Sequence, residues 1–135
     1  MISELDLCGL SYDSLTKDQK EFFLTHIWNG VGSDHYTLNP HDLIFKNASI
    51  YHDFYYWRGG PKFLRKLADK DFYHRCKDAA RKKSAIKRPF YYVICYIYYV
   101  GLKLFGKKAW ETGKVCQTWD ELLERYSSRI LEDLN

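Results

Sequence analysis

The 135-residue chain is poor in cysteine and proline, the residues that stiffen many small secreted domains. It has four cysteines, at positions 8, 76, 95 and 116, with no CxxC pair, and three prolines. A secreted disulfide scaffold of this length usually has more cysteines, so we predict reduced thiols. The first residues show neither a basic start nor an apolar run. We therefore expect no secretory signal, and a location in the cytoplasm of a cell or of a host cell. The alternative is a mature chain from which a signal has been removed.

Long apolar runs are also scarce. The longest lies within Phe90 to Phe105, where Lys103 is the only charged residue and five residues are tyrosines. Its uninterrupted apolar part is shorter than the roughly 20 residues that a bilayer-spanning helix needs. We therefore predict a buried core helix here, not a membrane span.

Aromatic residues are abundant, at 18% of the chain, with 12 tyrosines and 4 tryptophans. Because tyrosine combines a large ring with a hydroxyl, these residues suit a core that also carries hydrogen bonds, and they suit a lipid or partner surface as well. Hydrophobic residues make up 46% and charged residues 28%, which is typical of a globular protein. Length and composition together predict a single domain over residues 1–135.

Positive charge is concentrated in one segment. Eleven lysines or arginines and three aspartates lie between Lys62 and Arg88, although the whole chain has a net charge of only +4. A dense basic segment attracts anionic membranes or acidic partners, but it can also be a solvated helix face. Nucleic acid is disfavoured, because the aromatic residues follow the basic run instead of alternating with it. The predicted contact residues are Arg81, Lys82, Lys83, Lys87 and Arg88.

The local patterns predict an all-α fold, since strand signals are scarce. Thr16 and Gln19 form a capping-box pattern for a helix over 16–28, and Gly59-Gly60-Pro61 should end a second helix over 47–58. A third helix is expected after Pro61, through the basic segment as far as Lys87. A second capping box, from Thr118 to Glu121, opens an amphipathic C-terminal helix.

The chemistry-bearing residues lie around His52. Tyr56 follows His52 by four residues and shares its face of the second helix. An imidazole needs a partner to fix its tautomer before it can act as a general base. Asp69, in the next and antiparallel helix, is the predicted partner, and Tyr73 lies four residues further on. We predict that Tyr56 and Tyr73 are buried supports of the Asp69 carboxylate.

Asp53 points about 100 degrees away from His52 on the same helix. A carboxylate placed there is predicted to hold a hard cation, which prefers carboxylate and carbonyl oxygens. The loop with Gly30, Gly32 and Asp34 is the natural source of further oxygens.

Two segments resemble phospholipase A2. Residues 45–56 resemble its active-site helix, whose pattern is CxxHDxxY, and residues 68–73 resemble the second active-site helix of compact bacterial and fungal members, with D-x-x-F-Y. The run His-Asp-x-x-Tyr-x-x-Gly-Gly is also similar to short versions found in bacteria and phages. The resemblance covers residues 28–73, and residues 89–135 are predicted to be additional helices.

The resemblance implies a small all-α domain with two antiparallel active-site helices. It implies that His52 activates a water that attacks the sn-2 ester, that Asp69 orients the imidazole, and that Ca²⁺ is bound by Asp53 and the loop. Ser49 replaces the family's cysteine, so the disulfide between the two helices is expected to be absent. The alternative is a catalytically silent scaffold, of phage type, that binds a membrane surface or a host protein.

Overall fold

The computed structural model describes residues 3–28 and 44–134, except the side chain of Asp133, and the described part is all-helical as predicted. Its one departure is an isolated β-bridge between Gly60 and Thr112. The described ranges contain six α-helices, together with short 3-10 and π-helical turns. They are α1 (Glu4–Leu7), a 3-10 turn (Tyr12–Ser14), α2 (Lys17–Phe22) continued by a π-helical turn (Phe23–Ile27), α3 (Lys46–Arg58), α4 (Lys62–Arg81), α5 (Arg88–Phe105), a second 3-10 turn (Gly106–Ala109) and α6 (Trp119–Leu134).

Helix α2 begins with the predicted capping box. The Thr16 hydroxyl accepts a hydrogen bond from the backbone of Gln19 at 3.2 Å, and the Gln19 side chain accepts one from the backbone of Thr16 at 2.9 Å. The regular helix is shorter than predicted, because its last five residues widen into the π-helical turn. This turn buries Phe23 and Ile27 in the core.

Helices α3 and α4 form an antiparallel hairpin. Tyr51 contacts Arg75, whereas Tyr56, one turn later on α3, contacts Asp69, which comes earlier on α4. The predicted stop after α3 is confirmed, since Gly59 and Gly60 adopt φ angles of 74° and 130°. These positive angles reverse the chain within three residues.

Helix α4 ends at Arg81, so the prediction that it continues to Lys87 is wrong. Residues 82–87 form turns, in which the backbone of Lys83 donates to Ala80 and the backbone of Arg88 donates to Ser84. Pro89 falls in the first turn of α5, where an N–H has no intrahelical partner to lose. The proline therefore starts the next helix, and the chain reverses before it.

Helix α5 is not a buried core helix, which corrects a second prediction. Cys95 is its only fully buried side chain, whereas Val93, Ile97 and Phe105 are 58%, 60% and 77% exposed. One face of α5 packs against α4, and Cys76 of α4 is buried in the same cluster as Cys95, with both thiols unbridged. The opposite face has no covering element in the described part. None of the described helices is long and apolar enough to cross a bilayer.

Arg58, at the end of α3, holds the N-terminal segment in place. Its side chain is fully buried, and Nη1 donates to the carbonyl oxygens of Leu5 at 2.5 Å and Leu10 at 3.2 Å. Burial lowers the pKa of Arg58. The Tyr55 ring lies 5.0 Å from the guanidinium, which gains a cation–π contact in this dry environment.

Helix α6 packs against the end of α3 and against the α2 segment. Thr118 caps it as predicted, accepting from the backbone of Glu121 at 3.2 Å. Arg125 donates to the carbonyl oxygen of Trp57 at 2.6 Å, and Leu122 is buried. The C-terminal turns extend beyond this contact, so Leu131 is 62% exposed instead of lying on a buried apolar side.

Candidate functional site

His52 and Asp69 meet in the middle of the α3–α4 hairpin, as the sequence predicted. His52 Nε2 lies 2.8 Å from Asp69 Oδ1, and the Tyr56 hydroxyl donates to the same carboxylate oxygen at 2.6 Å. Both members of the pair are almost fully buried, with 5% of His52 and 3% of Asp69 exposed. The antiparallel arrangement causes this convergence, since neither residue is near the other in sequence.

The contact with Asp69 favours one tautomer of the His52 imidazole. An ionised carboxylate only accepts hydrogen bonds, so His52 Nε2 must be the donor to Asp69. In the neutral imidazole this leaves Nδ1 with a lone pair. Nδ1 lies 4.0 Å from Asp53 Oδ1, too far for a direct hydrogen bond. In this arrangement Asp69 holds Nε2 of the imidazole, and Nδ1 is left to accept a proton.

Tyr56 keeps the Asp69 carboxylate in position. Burial, followed by the hydrogen bond to Asp69, raises the pKa of Tyr56, so its hydroxyl stays protonated and continues to donate. Its ring packs edge-on against Trp110 with centroids 5.1 Å apart. A Cβ atom at Gly106 would lie 2.6 Å from the Tyr56 hydroxyl, so a larger residue there would displace this hydroxyl.

Both His52 and Asp53 line a cavity of about 470 Å³ between α3, α4 and α5. The other walls are mostly apolar and include Phe72, Leu102 and Phe105. The Phe72 ring lies 5.1 Å from the His52 ring, which restricts rotation of the imidazole. The exposed side chain of Phe105 connects this cavity to the uncovered face of α5.

Tyr73 is not brought to Asp69. Its ring stacks on Tyr99 of α5, with centroids 4.8 Å apart and planes 17° from parallel, and the Lys77 amine lies 5.0 Å from the same ring. In the described ranges Asp69 accepts hydrogen bonds from His52 and Tyr56 and none from Tyr73. Tyr73 is half-buried, because α5 packs against it and draws the ring away from the carboxylate.

The predicted calcium ligands are only partly covered by the structure. Asp53 lines the cavity, and its side chain is 27% exposed. Gly30, Gly32 and Asp34 lie outside the described residues. Within residues 3–28 and 44–134, no group of three or more His, Cys, Asp or Glu side chains could hold a metal ion. One carboxylate does not make a calcium site, so the metal stays a prediction.

Ser49 occupies the position at which the resemblance implies a missing cysteine. It is buried, and it accepts a hydrogen bond from Trp28 Nε1 at 3.1 Å. All four cysteines are unpaired. A tryptophan–serine hydrogen bond thus takes part in fixing α3 at this point.

The basic run lies at the turn between α4 and α5, away from the His52–Asp69 pair. Arg81 pairs with Asp78 at 2.9 Å, and Arg88 donates to the carbonyl oxygen of Lys83 at 3.2 Å. Lys82 and Lys87 are exposed. Asp69 and Arg81 are twelve positions apart on α4, which corresponds to about 18 Å along the helix axis. Contact of this run with a membrane or partner stays a prediction.

Arg65 is a site residue that the sequence reasoning missed. Its Nε lies 4.0 Å from Asp69 Oδ2, and its Nη2 donates to the carbonyl oxygen of Lys103 at 3.2 Å. The signal was present, because Arg65 precedes Asp69 by four residues and such pairs share a helix face. Phe72 was missed as well, although it follows Asp69 by three residues.

No protein-family model matches the sequence, no curated protein sequence matches it, and no solved structure matches its fold. The likeness to phospholipase A2 therefore depends on the residues quoted above.

Proposed function

We propose that the protein is a phospholipase A2-like hydrolase that cleaves the sn-2 ester of phospholipids. One observation carries the proposal: a buried imidazole, oriented by Asp69 and Tyr56, lies on the wall of a mostly apolar cavity. A base and an orienting group beside room for an apolar substrate are elements that enzymes use to hydrolyse lipid esters.

The proposed step uses the lone pair of His52 Nδ1. This nitrogen takes a proton from a water molecule while the water oxygen attacks the ester carbonyl carbon. The resulting imidazolium is stabilised by Asp69, which faces its Nε2–H at 2.8 Å. When the tetrahedral intermediate collapses, the C–O bond to glycerol breaks and His52 returns the proton to the leaving oxygen. The products are a fatty acid and a lysophospholipid.

The shape of the cavity favours a lipid substrate. Its volume of about 470 Å³ lies within the range of small-molecule pockets. Ile97 and Phe105 line it and are largely exposed, so an acyl chain can reach His52 along an apolar surface. Burial of that chain against these residues stabilises the complex through the hydrophobic effect, by about 0.8 kcal/mol per CH₂ group.

Calcium belongs to the proposal through the resemblance alone. When bound, a divalent cation would offset the negative charge that develops on the carbonyl oxygen. Asp53 is the described residue that would hold it, since its carboxylate and the His52 imidazole line the same cavity.

A catalytically silent scaffold is the second candidate, and the uncovered face of α5 favours it. Val93, Tyr96 and Ile97 are each more than half exposed. Contiguous exposed apolar residues often mark a membrane or protein contact. Such a protein would need the α5 face but not the His52–Asp69 pair.

Fatty-acid release from vesicles tests the proposal. We expect the wild-type protein to release only the sn-2 acid from phosphatidylglycerol and phosphatidylcholine vesicles whose two acyl chains differ in length, in buffer with millimolar calcium. Mass spectrometry of the free acids identifies the position. Excess chelator is expected to abolish release, and added calcium to restore it.

Each part of the proposal can fail separately in this assay. Release of the sn-1 acid would contradict the assigned specificity, and equal release with chelator would contradict the calcium dependence. No release from either lipid with calcium, by protein that binds the vesicles, would favour the silent scaffold.

A further inference from the structure

A second cavity, of about 770 Å³, lies on the other side of Asp69 and is strongly basic. We call it the basic groove. Six cationic side chains line it, four from α4 and two from the end of α5 and the 3-10 turn that follows: Lys62, Arg65, Lys66, Lys70, Lys103 and Lys107.

The cations form two facing rows. Lys62, Lys66 and Lys70 recur every four residues on α4, so they follow one helix face over about 12 Å. Lys103 and Lys107 line the opposite wall. Arg65 joins the walls, because its Nη2 donates to the Lys103 carbonyl oxygen at 3.2 Å.

The charge of the groove is not neutralised from within. Among its described lining residues Asp69 is the only carboxylate, and it already accepts hydrogen bonds from His52 and Tyr56. In the part of the chain that the structure describes, none of the five lysines belongs to a salt bridge. Like charges held this close repel one another, so a bound anion would relieve the repulsion.

We propose that the basic groove binds a ligand with two or more phosphate groups, either a soluble polyphosphate or a polyphosphorylated lipid headgroup. Linked phosphates offer oxygen atoms to the cations of both walls at the same time. Lysine amines act as adaptable point charges for phosphate, and Arg65 adds a planar donor at the back. Binding here does not depend on hydrolysis at His52.

The groove is less suited to single-stranded nucleic acid. Sequence-tolerant binding of such strands relies on a series of exposed rings for base stacking. Trp110 is buried, and its Nε1 donates to the Gly60 carbonyl oxygen at 2.9 Å. Tyr99 is already stacked on Tyr73 and has the Lys103 amine 5.2 Å from its ring. The groove therefore has cations for the phosphates of such a strand but no exposed rings on which its bases could stack.

Calorimetry and vesicle sedimentation test this proposal with a charge-matched control. The groove variant neutralises four exposed lysines of the groove: Lys62→Gln, Lys66→Gln, Lys70→Gln and Lys107→Gln. The control variant neutralises four exposed lysines outside the groove lining and outside the basic run: Lys17→Gln, Lys46→Gln, Lys108→Gln and Lys114→Gln. The first probe is inorganic tripolyphosphate. The second is phosphatidylcholine vesicles with about 5 mol% of a phosphatidylinositol bisphosphate, since a low content of anionic lipid limits nonspecific attraction of basic residues.

We expect wild-type protein and the control variant to bind at least one probe. The groove variant should bind that probe at least about 15-fold more weakly, since each of its four lost cations contributes roughly two- to fivefold. Binding of tripolyphosphate would identify a soluble ligand, and binding of the vesicles alone a lipid headgroup. Equal weakening in both variants would overturn the proposal, because it would reflect net charge alone. The proposal would also be overturned if the wild-type protein bound neither probe, or if it bound a single-stranded RNA and neither probe.

Discussion

Replacing Gly59 by alanine is expected to destabilise the protein by about 3 kcal/mol or more, as backbone strain and overpacking add. Gly59 has a φ of 74°, and an added Cβ atom would lie 2.2 Å from the Glu111 carbonyl oxygen. That oxygen cannot move freely, because it accepts a hydrogen bond from the backbone of Gly60 at 3.0 Å. The added Cβ atom would therefore strain the turn that connects α3 to α4.

Gly101 provides the matched control. It lies inside α5, and nothing is within 4 Å of the Cβ position. Gly101→Ala is therefore expected to be neutral or stabilising by up to about 1 kcal/mol, because alanine restricts the unfolded chain. Urea unfolding followed by circular dichroism compares the variants. A Gly59→Ala protein with the wild-type midpoint would contradict the described turn.

Replacing His52 by alanine is expected to lower the rate of fatty-acid release about 10²- to 10⁴-fold, the usual contribution of a general base. The reason is local, since His52 is the imidazole that Asp69 orients toward the cavity. The initial rate on vesicles with calcium measures the effect, and circular dichroism verifies that the variant is folded.

His74 controls for the loss of any histidine. It is exposed on α4, away from the cavity lining, so His74→Ala is expected to retain the wild-type rate. A His52→Ala variant as active as the His74→Ala variant would remove His52 from the mechanism. Loss of activity in both would instead indicate general damage to the fold.

The sequence predicted several helix ends because their signals are local. The Thr16 and Thr118 caps need residues only three positions apart, and the glycines after Arg58 end α3 by their backbone angles. Once two helices are joined by so short a turn, they must be antiparallel neighbours. His52 and Asp69 then face each other, which is why this contact could be predicted.

The features that were missed depend on tertiary packing. A mostly apolar segment such as Phe90 to Phe105 predicts burial, but the described part supplies a neighbour for one face of α5 only. The same packing draws Tyr73 onto Tyr99 and away from Asp69. The basic groove combines Lys66 and Lys70 with Lys103 from another helix, and no sequence spacing shows that they share a cavity.

The central claim is that His52 and Asp69 act as one catalytic unit. The most direct test is the rate of sn-2 fatty-acid release by His52→Ala, Asp69→Asn and the double variant, under one calcium concentration. If Asp69 acts only through His52, Asp69→Asn lowers the wild-type rate but the double variant is no slower than His52→Ala, within about threefold. Losses that multiply in the double variant, or a wild-type rate for Asp69→Asn, would contradict the account.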